Sequence, residues 1–351
     1  MGLVIAASFA VPGDLAAPTG GYAYARRLLA GAGGAGVGLT HLALPGGFPD
    51  ASPDDLAAAG RLLGGLAEGR PILIDGLALG VMPVEMLRAM PGPVVALCHH
   101  PLALETGVGA ADALRLRDSE RAALGACAWV IATSETTART LVDEYAVAAE
   151  RLTVACPGTD PAVRATGSGG PGVAILSIGS LTPRKGHDVL IAALAGLAHL
   201  DWHLTIAGPA DRDAAHAGAL VRQIAEAGLE SRVVLAGALE TGTLNRAYGG
   251  ADLFVLASRY EGFGMAYTEA MAHGLAVVGC AAGAVPEATR GAAHLVVPCD
   301  VAALRGALGR FVTDRSVRVR LADDCWQAAQ SFARWSDTSA AVAGVLRGVT
   351  R

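Results

Sequence analysis

The sequence predicts an α/β fold: two doubly wound, parallel-sheet domains in tandem. Three observations predict it. Short apolar runs alternate with alanine- and leucine-rich helical segments over nearly the whole chain. A cluster rich in glycine, serine and proline, Gly158–Gly172, breaks the alternation near the middle. The alternation then restarts. With 351 residues the chain has room for two domains of ordinary size.

In the first half, strands are expected at Leu3–Ala7, Thr40–Leu44, Ile72–Ile74, Val94–Cys98, Trp129–Thr133 and Leu152–Ala155. Their unbroken apolar character is that of strands covered by helices on both faces. Helical segments lie between them at Tyr22–Ala32, Asp54–Ala67, Arg115–Ala126 and Thr136–Tyr145. Beyond the linker, strands are expected at Val173–Ile178, His203–Ala207, Val233–Ala236, Leu253–Leu256, Ala276–Val278 and Leu295–Val297. Helices are expected at His187–Ala198, Ala214–Ala227, Leu244–Tyr248, Tyr267–His273, Val301–Phe311 and Ser316–Ser331, with a last one at Trp335–Val349.

Composition excludes several classes. Hydrophobic residues make up 52% and charged ones 17%, an apolar balance that suits sheets buried on both faces. No run reaches the roughly 18–20 apolar residues of a membrane span. Gly2–Val11 is short and lacks a basic leader, so it reads as a first strand and not as a signal peptide. The formal net charge of −5 gives no global basic field for nucleic acid. The six cysteines are scattered without a C-x-x-C pair, which argues against a disulfide framework or a zinc site and for a reducing cytoplasm.

Ligands of doubly wound sheets bind beyond the carboxyl ends of the strands, so the loops that follow strands hold the candidate site residues. The segment Glu261-Gly262-Phe263-Gly264-Met265-Ala-Tyr-Thr-Glu269 follows a strand and opens a helix. Its glycines admit a ligand close to the backbone, and free N–H groups at a helix start suit phosphate. Glu269 lies a little over one turn in, where a carboxylate can accept from two ribose hydroxyls, and Glu261 can meet a sugar. A glycine turn with a surface Glu fits the same spacing, and the third glycine of the dinucleotide fingerprint is missing. In Ser177–His187, Arg184 and Lys185 can neutralise a diphosphate or form a solvated basic turn. Pro18-Thr-Gly20-Gly21-Tyr22 precedes a helix and reads equally as a flexible turn. His99 and His100 close the strand Val94–Cys98; adjacent residues there point to opposite sides, which disfavours a shared metal. Ser134 is either a site residue or a helix N-cap. Asp160 and Glu287 read as cleft or turn residues rather than catalysts.

Taken together these segments resemble the retaining glycosyltransferases of family 4. Glu261 and Glu269 match the family's Glu-x7-Glu signature, and Ala257-Ser-Arg-Tyr-Glu-Gly-Phe-Gly264 resembles its PSxxEGFG run. Gly283-Ala-Val-Pro-Glu287 and Val154-Ala-Cys-Pro-Gly-Thr-Asp160 resemble two further motifs in the family's order. The resemblance spans roughly Gly20 to Asp300. It implies the two-domain GT-B fold, with Rossmann-like domains at residues 1–160 and 173–333 facing an interdomain cleft and residues 335–351 returning to the first. The nucleotide-sugar donor would sit on the second domain and the acceptor mainly on the first.

By the same resemblance, Glu269 would bind the donor ribose. Glu261 and the backbone of Gly262, Phe263, Gly264 and Met265 would hold sugar and diphosphate. Lys185 matches the family's phosphate-binding lysine. Ser180 stands where many members carry an arginine, so Arg184 is expected to supply that charge at the donor loop. Gly20 and Gly21 resemble the N-terminal glycine loop, and His99 the histidine that contacts the transferred sugar. The implied reaction moves a hexose from a UDP- or GDP-sugar to an acceptor hydroxyl with retention and without a metal. The acceptor would be a small molecule, a glycan or a lipid-linked group, with peripheral membrane contact in the last case. Two alternatives share this donor site: a nucleotide-sugar epimerase of the same fold, and a non-catalytic accessory subunit that binds the donor.

Overall fold

A computed structural model describes residues 5–350. The first unit begins with β1 (Ile5–Pro12), α1 (Gly20–Gly31), β2 (Val37–Leu44), α2 (Pro53–Gly64) and β3 (Ile72–Asp75). Two short helices, α3 (Gly76–Leu79) and α4 (Val84–Arg88), lead to β4 (Val94–Cys98), α5 (Ala110–Ala126), β5 (Trp129–Ala132), α6 (Glu135–Tyr145) and β6 (Leu152–Val154). The six strands run parallel in the order β2-β1-β3-β4-β5-β6.

Strand periodicity sorts the side chains. Ile72, Ile74 and Ala96 enter one core layer, with Leu63 and Leu124. Leu73, Val95 and Leu97 enter the layer on the other face, with Leu28. Both faces are apolar because parallel strands need helical crossovers that cover them.

The second unit repeats the plan. It contains β7 (Val173–Ile178), α7 (His187–Ala195), β8 (Trp202–Ala207), α8 (Ala214–Glu226), β9 (Val233–Gly237) and α9 (Thr241–Gly249). It continues with β10 (Leu253–Leu256), α10 (Met265–Ala272), β11 (Ala276–Cys280), α11 (Val285–Ala288), β12 (His294–Val296), α12 (Val301–Thr313) and α13 (Arg315–Ala329). Its six parallel strands are ordered β12-β11-β10-β7-β8-β9. The chain then returns as α14 (Trp335–Gly348), whose Val342, Val345 and Leu346 enter the Leu28 layer of the first unit. Thr159–Phe332 form one compact unit; the preceding residues together with those from Ala333 onward form the other.

Some boundaries differ from the sequence reading. β1 runs on to Pro12, whereas Leu3 and Val4 lie outside the described residues. Phe9, Ala10 and Val11 are buried, and their pairing with His41–Ala43 extends the strand through them. α5 starts at Ala110, five residues before the expected Arg115. Its first turn, Ala110-Ala-Asp-Ala, is small and largely exposed, so it carries no apolar period that would mark a helix. Gly158–Gly172 contains no helix or strand, yet part of it is tied to the second unit. The Ala165 amide donates to His273 O at 2.7 Å, and the Ser168 hydroxyl to Asp252 at 2.7 Å. Composition carries no sign of such anchoring.

Strand order also locates the switch points. In the first sheet successive connections diverge between β1 and β3, and in the second between β7 and β10. Loops on the carboxyl side of such a pair leave in opposite directions and open a crevice.

Candidate functional site

In the second unit the loops after β7 and β10 flank the switch point, and they are the two loops singled out by sequence. They touch backbone to backbone. Gly186 has φ +64°, and a Cβ there would stand 1.9 Å from Ala257 O. The Arg259 amide donates to Arg184 O at 2.8 Å.

This approach brings both cations to Glu261. Lys185 Nζ lies 2.6 Å from Glu261 Oε1, and Arg184 Nη1 lies 3.4 Å from Oε2. The Ser258 hydroxyl donates to Oε1 at 2.6 Å, and Arg184 also donates to Tyr260 O at 3.1 Å. Glu261 is buried. Burial by itself would raise the pKa of its carboxyl, but Lys185 and Arg184 override it and hold the group at about 2. Behind it, Gly283 (φ +55°) lies so close that a Cβ would stand 2.2 Å from Glu261 O, and the Ala284 amide donates to that carbonyl at 2.9 Å.

Three residues on, Gly264 adopts φ +104° and starts α10 with no capping side chain. The helix start, without a capping side chain, therefore follows Glu261 of the Lys185–Glu261–Arg184 cluster by three residues in sequence. Phe263 and Met265 are half-buried on either side of Gly264, and Gly262 is buried. Glu269 lies further along α10, and the buried Tyr248 on α9 donates to its Oε2 at 2.9 Å. Ser180, half-buried after β7, accepts the Thr182 amide through its carbonyl at 2.8 Å. The second unit thus carries Ser180, Arg184, Lys185, Glu261, Gly262, Phe263 and Gly264 on the loops after β7 and β10, and Met265 and Glu269 on α10.

The first unit gathers the other candidates by the same rule. Gly20 and Gly21 begin α1 after β1, and His99 follows β4. A Cβ on Gly21 would meet the His99 ring at 3.6 Å. The Thr133 hydroxyl donates to His99 O at 3.2 Å. His100 turns away, with Nε2 3.3 Å from Glu105. The two histidines therefore do not converge, and among the described residues no group of three or more His, Cys, Asp or Glu is placed to hold a metal ion. Ser134 is the N-cap of α6: its hydroxyl oxygen accepts the Thr137 amide at 2.9 Å and is fully buried.

Several supporting residues escaped the sequence reading. Arg259 forks onto Asp188 at 2.9 and 2.6 Å and also donates to Pro183 O, so it braces the Arg184–Lys185 turn. Arg259 and Ser258 stand inside the Ala257–Gly264 motif, but nothing in their spacing names their partners. Asp75 ends β3 with its Oδ2 3.4 Å from His99 Nε2. His187 is fully buried, bonded to Gly179 O at 3.2 Å; burial depresses its pKa to about 4, so it is neutral at ordinary pH.

Chemically, the second unit offers two cations, the positive end of a helix and two carboxylates on one crevice. That set suits an anionic, polyhydroxylated ligand: the cations and amides meet negative oxygens, and a carboxylate can accept hydrogen bonds from hydroxyls.

Residues 163–330 match the family model described as Glycosyl transferases group 1, and residues 15–163 match Glycosyltransferase Family 4. The chain is 28% identical to the MMP alpha-(1->4)-mannosyltransferase of Mycolicibacterium hassiacum over 315 residues, covering 85% of this chain and 75% of that protein. Its fold superimposes on sucrose-phosphate synthase from Thermosynechococcus elongatus with a TM-score of 0.83 at 20% identity, covering 98% of both chains. It superimposes on Anabaena HepE in complex with UDP-glucose with a TM-score of 0.80 at 19% identity, covering 98% of this chain and all (100%) of that one.

Proposed function

Because the chain belongs to the group 1 and family 4 glycosyltransferases, with the GT-B fold, we propose that it transfers a hexose from a UDP- or GDP-sugar to an acceptor hydroxyl with retention of anomeric configuration. One observation carries the reading: the Lys185–Glu261–Arg184 cluster sits at the switch point of the second sheet, beside the uncapped start of α10, with Glu269 further along that helix. The UDP-glucose bound by HepE supports a nucleotide-sugar donor, and the mannosyltransferase relative supports a hexose.

In this reading the diphosphate meets Lys185, Arg184 and the amides after Gly264, while Glu269 accepts the ribose hydroxyls. Negative charge grows on the departing phosphate as the acceptor attacks, and preorganised cations lower that barrier. Glu261 is already engaged by Lys185, Arg184 and Ser258, and Glu269 by Tyr248. This supports front-face transfer, with neither carboxylate acting as nucleophile. The cationic side chains support a reaction that needs no divalent ion, and the six free thiols a cytoplasmic setting. The acceptor is a small molecule, a glycan or a lipid-linked group; in the last case the enzyme meets a membrane surface peripherally.

The test is thermal shift with UDP, GDP, ADP and TDP and their common sugars, followed by transfer assays with the stabilising donor. One nucleotide should raise the melting temperature by several degrees at saturation. Glu269→Ala should weaken that shift. Lys185→Ala should lower kcat about 100-fold, the scale of losing one charge-stabilising donor. NMR of the product should show the donor's anomeric configuration, and chelator should leave turnover intact. Stabilisation by none of the nucleotides would defeat the reading, inversion would remove its stereochemical part, and rescue of chelated enzyme by a divalent ion would remove metal independence.

A further inference from the structure

We propose that Asp75 is a positioning residue that holds His99 as the Nε2–H tautomer, so that Nδ1 is the atom offered to substrate as a hydrogen-bond acceptor. The proposal rests on the reading above for the role of His99 and adds how that histidine is oriented. Asp75 ends β3 and is buried, with its two oxygens committed differently. Oδ1 accepts the Leu77 amide at 2.9 Å, which leaves Oδ2 facing His99 Nε2 at 3.4 Å, within ion-pair range but short of hydrogen-bond alignment.

The backbone is built for this approach. A Cβ on Gly76 would stand 2.9 Å from Leu97 O and 3.4 Å from Cys98 Cα, so only glycine lets the end of β3 lie this close to the end of β4. Two contacts hold the ring and a third holds its backbone. Gly21 lies against the Cδ2–Nε2 edge, where a Cβ would meet those atoms at 3.6 and 3.7 Å. Tyr24 stands edge-on to the ring at 5.2 Å, and the Thr133 hydroxyl donates to the His99 carbonyl at 3.2 Å.

Burial separates the two ring nitrogens. Nε2 is shielded from solvent, although the side chain as a whole is 22% exposed, so that exposure belongs to other atoms. A neutral imidazole that turned a bare Nε2 lone pair toward a carboxylate oxygen would be repelled, whereas an N–H there is attracted. The proton therefore sits on Nε2 and the lone pair on Nδ1. A second carboxylate or carbonyl commonly sets a working histidine's tautomer in this way.

Long-range nitrogen–proton NMR of the unliganded protein, in mildly alkaline buffer with histidine assigned through His99→Ala, reads the tautomer directly. The parent should show His99 as Nε2–H, and Asp75→Asn a mixture. In transfer assays Asp75→Asn should lower kcat about 10- to 100-fold, the scale for such supporting partners, while the donor KM moves less than about 2-fold. In a His99→Ala background the same change should cost nothing further. An Nδ1–H tautomer in the parent would overturn the proposal, as would unchanged kcat in a folded Asp75→Asn variant, or losses at Asp75 and His99 that multiply. If Asp75→Asn loses its melting transition, the parent tautomer alone decides. A parent inactive with every donor would defeat the transfer reading and leave the tautomer result standing, so the two failures are told apart.

Discussion

Glu261 is a buried carboxylate that stays ionised because two cations and a hydroxyl compensate it. Its folded pKa of about 2 lies below the ordinary 4.5, so its stabilising contribution is present above about pH 4.5 and is lost as pH falls toward 2. Glu261→Gln should cost about 1–3 kcal/mol near neutrality, less than a fully buried pair because Lys185 and Arg184 keep partial solvent access. In melting curves the gap between parent and variant should narrow as pH falls through that window.

Glu120 on α5 behaves in the opposite sense. It is buried and raised to about 8 by that burial, while the Leu102 amide that it accepts at 2.9 Å pulls the other way. Its contribution is greatest below about pH 4.5 and is lost as pH rises through 8. Glu120→Gln keeps an acceptor for Leu102 and removes the charge. It should therefore melt higher than the parent at pH 8, by the equivalent of about 1–3 kcal/mol, and level with it at about pH 4.5 or below. A variant that melts lower at both would refute the assignment.

At the scale of elements, two loops meet at a switch point, and glycines without a Cβ permit the meeting. Gly186 ends the turn that carries Arg184 and Lys185 and starts α7 in a left-handed conformation. Gly186→Ala would combine the φ penalty with a clash, its Cβ standing only 1.9 Å from Ala257 O. The expected loss is at least about 2 kcal/mol in denaturant titration, with transfer activity falling further because Lys185 leaves Glu261. A stable and fully active Gly186→Ala would show that the two loops do not need this approach. The elements themselves were readable in sequence, since alternation of apolar runs and helical segments follows directly from local periodicity. Their ends were less so. α1 opens on Gly20 and α5 on Ala110, and both of these first residues are exposed, so no apolar period announces them.

For the whole molecule, the return of the chain through α14 completes the first unit. Val342, Val345 and Leu346 fill the layer that also holds Leu28, Phe9 and Leu97, and the Thr338 hydroxyl donates to Cys156 O at 2.7 Å. Removing residues 333–351 would expose that apolar layer to water. Limited proteolysis of the shortened chain should leave protection confined to Thr159–Phe332, whereas equal protection of both units would show that α14 is dispensable. Among the described residues no helix is long and apolar enough to cross a membrane.

By itself the sequence determined the two-fold repetition of strand and helix, the loops on which ligand-binding residues stand, and the family to which they point. Each of these is local, resting on periodicity, on glycine before a helix and on the ordered spacing of Glu261 and Glu269. Only the tertiary structure decided what each of those residues faces. It set Lys185 and Arg184 around Glu261, Tyr248 on Glu269, Arg259 on Asp188 and Asp75 against His99. Those partners lie on different strands and helices, and strand order brings them together. Strand order is the outcome of packing the whole core, and no window of sequence contains it.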